Sequence, residues 1–223
     1  MSHARALVLD FGGVISRTLF ETHPQTERAL GLPPGTLTWR GPFDPASDAP
    51  WRDMQAGLIS ERDYWLLRTR ETGALMGESW DAMQTLVRRA RGAEPEHIVR
   101  PEAVRLINLA RKAGIKLAVL SNELDLFYGP ELRSRLECLA GFDAIIDATY
   151  TGCLKPDPRA YRMCAEALVL PVGECILIDD QARNVEGALA AGMDAVEFDV
   201  RDAHRSFGEA AVRLGLAWEA GTP

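Results

Sequence analysis

Cysteine is scarce in this 223-residue chain and badly spaced for metal or redox work. Cys138, Cys153, Cys164 and Cys175 form no C-x-x-C pair, which leaves out a zinc ribbon or a thioredoxin-type motif and reads as buried or half-buried thiols. The four histidines, His3, His23, His97 and His204, make no H-E-x-x-H run, so the zinc-protease helix is absent too. Positive charge is in deficit: 25 Lys and Arg stand against 32 Asp and Glu, a net charge of −7. That balance argues against nucleic acid or an anionic membrane as the main partner, while leaving room for a local basic pocket around a small anion. No apolar run approaches the roughly 20 residues of a spanning helix, and the start lacks a signal-peptide core, so a cytoplasmic protein is expected. No G-x-G-x-x-G follows the first apolar run, which disfavours a dinucleotide-binding dehydrogenase. Internal repeats and low-complexity segments are missing as well.

What is there is an ordinary soluble composition, 47% hydrophobic and 26% charged. The length accommodates one large core, or a core with a smaller second domain. The first apolar run, over residues 4–10, predicts a strand buried on both faces. It stops on one acid, Asp10, before Phe11, Gly12 and Gly13, and paired glycines permit a turn that side chains would block. From about Ser16 to Arg100 no buried-strand run is found, and four of the five tryptophans fall here, read as packing residues. Gly31-Leu-Pro-Pro-Gly35 and Gly41-Pro-Phe-Asp-Pro45 signal loops. Ser60 with Asp63 predicts a capped helix through Tyr64, Trp65, Leu66 and Leu67. Ser79 is expected to cap a further helix through Arg91.

After Pro101 the pattern alternates. Helices are predicted from Pro101 to Gly114, Leu124 to Leu139 with a break at Gly129-Pro130, Asp157 to about Leu168, Ala182 to Ala191 and Ala203 to Leu214. Strands are predicted at Ile115–Leu120, Phe142–Ala148, Cys175–Ile178 and Met193–Phe198. The expected fold class is therefore α/β, a Rossmann-like parallel sheet core with an inserted helical cap domain. Residues 1–15 and 101–223 form the core, and 16–100 the cap.

Three buried strands end on polar groups: Asp10, Ser121-Asn122 and Asp179-Asp180. Lys155, in Lys-Pro-Asp-Pro, precedes the helix before the fourth strand. Parallel strands share one carboxyl edge, where ligands bind in open α/β sheets. Two acids with a backbone carbonyl make a hard oxygen site suited to Mg²⁺. Ser121 and Lys155 add a hydroxyl and a positive charge suited to a phosphate-like anion. A carboxylate can also attack phosphorus and carry the group covalently.

With these residues in order, the chain resembles the haloacid dehalogenase (HAD) superfamily of hydrolases with a helical C1-type cap. Asp10 in Leu-Asp-Phe-Gly-Gly-Val, Ser121 in Val-Leu-Ser-Asn, Lys155 in Leu-Lys-Pro-Asp-Pro and Asp179-Asp180 with Asn184 match its four motifs. The resemblance covers residues 4–15 and 101–200, and Asp-Phe-Gly-Gly-Val is similar to a branch close to the phosphatase-like domain of soluble epoxide hydrolase. It implies that Asp10 is nucleophile and metal ligand, and that Gly12 offers a carbonyl to the metal. Ser121 and Lys155 would hold the phosphoryl group, and Asn122, Gly13 and a cap arginine, Arg40, would meet the substrate. Asp180 would ligate Mg²⁺ directly, Asp179 directly or through water, and Asn184 would support the loop.

One departure matters. Phosphatases of this family usually carry an acid/base Asp two residues after the nucleophile, where this chain has Gly12. The leaving group is good enough unaided, or a cap residue such as Glu21, His23, Asp44 or Asp48 supplies the proton, or the protein is a weak catalyst that mainly binds. The expected activity is a Mg²⁺-dependent phosphohydrolase acting on a small phosphorylated molecule. A 2-haloacid dehalogenase, with Trp39-Arg40 near its anion site, and a regulatory binding protein are the alternatives. A homodimer is left open.

Overall fold

A buried strand must satisfy its backbone from both sides, and the apolar run Ala6–Leu9 (β1) does so as the centre strand of a parallel sheet. The computed structural model describes residues 4–91, 95–129, 131 and 135–218. Lys116–Ser121 (β2), Ala144–Asp147 (β3), Cys175–Asp179 (β4) and Asp194–Glu197 (β5) complete the sheet in the order β3-β2-β1-β4-β5. All pairings are parallel, with Leu9 in register with Val119 on one side and Ile178 on the other. That register brings Asp10, Ser121 and Asp179 to one edge. The strands are one or two residues shorter at most ends than expected, because pairing stops where the loops turn away, while β2 and β4 each extend one residue further, to Ser121 and Asp179.

The chain divides into two compact units, Met1–Arg17 with Ile98–Asp125 and Arg133–Pro223, and Thr18–His97 with Leu126–Leu132. The first holds the sheet. One sheet face, with Ala6, Val8, Ala118, Leu120 and Leu177, packs on Ala160, Tyr161, Cys164, Val185 and Ala188. These come from the helices Pro158–Ala167 (α8) and Ala182–Ala190 (α9). The alternate residues Leu7, Leu9, Leu117 and Val119 are equally buried and turn to the other face. There the helices Pro101–Lys112 (α5) and Ala203–Arg213 (α10) bury Leu106, Ile107, Phe207 and Ala210. Asp157 caps α8 through the Arg159 N–H, with Pro158 in its first turn, as that residue pair dictates.

The second unit is helical: His23–Leu30 (α1), Ala49–Gln55 (α2), Glu61–Leu75 (α3) and Met83–Arg91 (α4). Ser60 and Asp63 form a reciprocal capping box at the start of α3. The expected cap at Ser79 is corrected: its hydroxyl meets Asp81, and α4 begins only at Met83. Phe20, Trp39, Trp51, Tyr64 and Trp65 pack ring against ring, Phe20 meeting Trp39 and Trp51 edge to face with centroids 5.3 Å apart. Asp48, a candidate proton donor, is instead buried and saturated. It accepts from the N–H groups of Gly41 and Trp51, the Tyr64 hydroxyl and the Arg68 guanidinium. The first part of the helical stretch expected from Leu124 runs to Tyr128 as α6 and stops at Gly129, at the expected break; Glu131 and Arg135 are again helical, and a short helix, Ala148–Thr151 (α7), follows β3. Pro130 itself lies outside the described residues. Among the described residues no helix is long and apolar enough to cross a membrane.

Candidate active site

Asp10, Ser121, Lys155, Asp179 and Asp180, at the sheet's carboxyl edge, belong to the first unit. After Asp10 the chain makes a wide turn in which Ile15 N–H donates to Asp10 C=O at 3.4 Å and Ser16 N–H to Phe11 C=O at 2.9 Å. Gly13 sits at φ +83°, a conformation that favours glycine, whereas Gly12 is at φ −71°, ψ 122°, open to any residue. Gly12 is exposed, and a Cβ there would have no neighbour within 4 Å.

Lys155 lies at the centre. Its side chain is buried and its Nζ donates to Asp10 Oδ1 at 2.9 Å and to Asp179 Oδ2 at 2.5 Å. Burial alone would pull the ammonium's pKa down, but the Asp10 and Asp179 carboxylates outweigh it and hold the lysine above its ordinary value. Asp10, Asp179 and Asp180 each bring a carboxylate oxygen to within 4.8 Å of the others. Asp179 is fully buried, and its Oδ1 accepts from Gln181 N–H and Asn184 Nδ2, each at 2.9 Å. Asp10 and Asp180 keep some exposure. The sequence expectation that these three acids and the lysine meet is met in space.

Other expected residues take more specific positions. The resemblance implies that Asn122 meets the substrate. Its Oδ1 accepts from Lys155 N–H at 2.7 Å and its Nδ2 donates to Lys155 C=O at 3.1 Å, so its amide fastens the lysine's backbone. Asn184 supports Asp179 directly, and its Oδ1 is buried without a partner. Ser121 ends β2, buried, with its hydroxyl accepting from Glu123 N–H at 3.4 Å. Gly13 contributes a carbonyl held by an arginine. Arg40 is exposed and belongs to the second unit.

Two residues escaped the sequence reading. Arg100, buried just ahead of α5, donates from Nε to Gly13 C=O at 3.1 Å and from its backbone N–H to Ile15 C=O at 2.9 Å. It therefore clamps the turn after Asp10 at two carbonyls. A lone arginine between a loop and a helix carries no periodic signal that would reveal this. Gly187 in α9 lies against the Lys155 loop, where a Cβ would stand 2.7 Å from Pro156 Cβ and 2.8 Å from the Tyr161 hydroxyl. Its place inside an amphipathic helix, where glycine costs about 1 kcal/mol against alanine, was the available signal.

Chemically, three carboxylates against one ammonium leave a formal charge of −2 at a site where Asp179 and Lys155 are buried and Asp10 and Asp180 are partly exposed. Hard oxygen donors at this spacing suit a small divalent cation.

Comparison with known proteins adds four findings. Residues 4–192 match the sequence model of a family described as haloacid dehalogenase-like hydrolase. The chain is 40% identical over 102 residues to Phosphatase MT3486 of Mycobacterium tuberculosis (strain CDC 1551 / Oshkosh), covering 44% of this chain and 46% of that protein, so it spans less than half the length of that relative. Among solved structures, the HAD-hydrolase YfnB of Bacillus subtilis bound to magnesium superposes at a TM-score of 0.69 with 17% identity, over 96% of this chain and 100% of that one. The L-2-haloacid dehalogenase RSc1362 superposes at 0.55 with 20% identity, over 89% and 87%. At such identities the two structures bear on the fold alone.

Proposed function

The chain belongs to the haloacid dehalogenase-like hydrolases, and from that membership and the charge pattern of its sheet edge we propose that it is a Mg²⁺-dependent phosphohydrolase. It acts on a small phosphorylated compound and carries the phosphoryl group transiently on Asp10. The observation that supports this most is the approach of Asp10, Asp179 and Asp180 within 4.8 Å beside one buried lysine. A dehalogenation site working on carbon has no use for three acids so close, because each adjacent carboxylate raises the cost of ionising the next.

Asp10 and Asp180 would hold the cation, with the Gly12 carbonyl and Asp179 beside them. Bound there, Mg²⁺ supplies the positive charge that lets an anionic phosphoryl group approach a carboxylate. The chain's own residues do the rest. Asp10 attacks phosphorus in line with the departing oxygen. Lys155, already aimed at Asp10, donates to a phosphoryl oxygen as charge grows, and the Ser121 hydroxyl donates to another. One such donor is worth on the order of 10²- to 10³-fold in rate. Asn122 and Asn184 hold Lys155 and Asp179 in place, and Arg100 holds the turn that carries the nucleophile. The second unit is read as the cap that selects what the phosphoryl group is attached to.

The test is hydrolysis of a panel of phosphate monoesters and acyl phosphates with Mg²⁺, with EDTA, and with Asp10→Asn. Turnover that EDTA and Asp10→Asn both abolish is expected. Turnover of chloroacetate undiminished by EDTA overturns the proposal in favour of dehalogenation. A beryllofluoride adduct without turnover of any compound overturns it in favour of a binding role.

A further inference from the structure

Transfer of a phosphoryl group to Asp10 leaves an oxygen that must depart with the electron pair of the broken P–O bond. An alcohol's oxygen needs a proton to do so. The residue two places after the nucleophile offers none, since Gly12 has no side chain although its backbone and its surroundings would accept one. Around it the Lys155 ammonium is turned to Asp10 and Asp179, and both oxygens of Asp179 accept hydrogen bonds.

Of the second unit's candidate donors, Asp48, Glu21 and Asp44 accept hydrogen bonds within that unit, and the buried His23 is held neutral. Asp48 accepts four hydrogen bonds. Glu21 Oε2 accepts from the Thr18 N–H and hydroxyl, and Asp44 Oδ1 accepts from Ser47 N–H. His23 is buried edge-on against Trp39, and burial, with Arg40 nearby, lowers its pKa to about 4, so it carries no spare proton at neutral pH.

We infer that the natural substrate carries its phosphoryl group on a leaving group stable as an anion, a carboxylate above all, making it an acyl phosphate rather than an alkyl ester. This rests on the phosphohydrolase reading above. In the first step an Asp10 oxygen bonds to phosphorus, the P–O bond to the substrate breaks, and the carboxylate departs with the electron pair. In the second, water's oxygen bonds to phosphorus, the bond to Asp10 breaks, its electrons return to the Asp10 carboxylate, and water's proton passes to solvent. The same gap at Gly12 deprives that water of a base, so the second step is the slow one and the phosphorylated Asp10 accumulates.

The experiment compares acetyl phosphate, ethyl phosphate and a series of substituted phenyl phosphates on the full chain with Mg²⁺. Leaving groups then run from a carboxyl pKa of about 4 through phenols near 10 to an alcohol. We expect kcat/KM for ethyl phosphate on the order of 10²- to 10⁴-fold below that for acetyl phosphate, the increment that a general acid would supply. We also expect a burst of phenol equal to the enzyme, followed by a kcat common to the phenyl series. Values of kcat/KM within tenfold for ethyl and acetyl phosphate, or a kcat that tracks the phenol with no burst, overturn this inference and leave the phosphohydrolase reading standing. Inactivity on every compound overturns the phosphohydrolase reading as well.

Discussion

Gly12→Asp installs at one position the group that the site lacks. The substitution fits the fold: φ −71° and ψ 122° are ordinary for an L residue, and a Cβ would have no neighbour within 4 Å. Removing a glycine's freedom from the unfolded chain favours the variant by about 0.4–1 kcal/mol. A fourth carboxylate beside Asp10, Asp179 and Asp180 opposes that, so the melting temperature should move little. The effect belongs to the rate. A positioned acid/base contributes on the order of 10²- to 10⁴-fold, or about 3 to 5 kcal/mol of barrier. The assay is kcat/KM for ethyl phosphate, where proton donation limits the first step, together with the burst on phenyl phosphates. In Gly12→Asp ethyl phosphate turnover should rise by that factor, the burst should vanish, and kcat/KM for acetyl phosphate should change by less than about tenfold. Gly12→Ala controls for the backbone. If Gly12→Asp is no faster than Gly12→Ala on ethyl phosphate, the reasoning from the empty position is refuted.

Other consequences follow from single contacts. Lys155→Met leaves the Asp10 and Asp179 carboxylates without their shared cation. It should abolish turnover and cost on the order of 3–5 kcal/mol of stability, read by urea unfolding without added metal. Arg100→Met frees the Gly13 carbonyl. Its kcat should fall on the order of 10²-fold with KM nearly unchanged, as slight misplacement of a nucleophile implies, and Arg100→Lys should recover part of it. A purely structural role would lower stability without that split. His23 is held neutral by burial, with its pKa lowered to about 4. Its contribution is whole above the unfolded value of about 6.5 and is lost as pH falls from there toward 4. Between pH 7.5 and 5 that loss is roughly 2 kcal/mol, and His23→Leu should flatten this limb of the stability curve. An unchanged limb would contradict the assignment.

The sheet was legible because its strands are apolar on both faces and end sharply, so Ala6–Leu9 and Cys175–Asp179 announced both their burial and their polar tips. The capping box at Ser60 and Asp63 and the Asp157-Pro158 start of α8 were equally readable, since each is a local hydrogen-bond rule. The roles of Asn122, Arg100 and Gly187 were not. Each depends on a partner fixed only by tertiary packing: the Lys155 backbone, the Gly13 carbonyl, and Pro156. Asp48 misled for the same reason, because a buried carboxylate that serves four donors looks in sequence like any acid in a loop. Leu126–Leu132 joins the second unit although the surrounding chain belongs to the first, and periodicity carries no mark of such a crossing.

The account stands on Asp10 as the atom that receives phosphorus. The direct measurement is mass spectrometry of the Asp10 peptide after acid quench during turnover of acetyl phosphate. With Mg²⁺ one phosphoryl group on Asp10 is predicted, lost with EDTA and in Asp10→Asn. Turnover with Asp10 unmodified, or with the phosphoryl group on another residue, would contradict it.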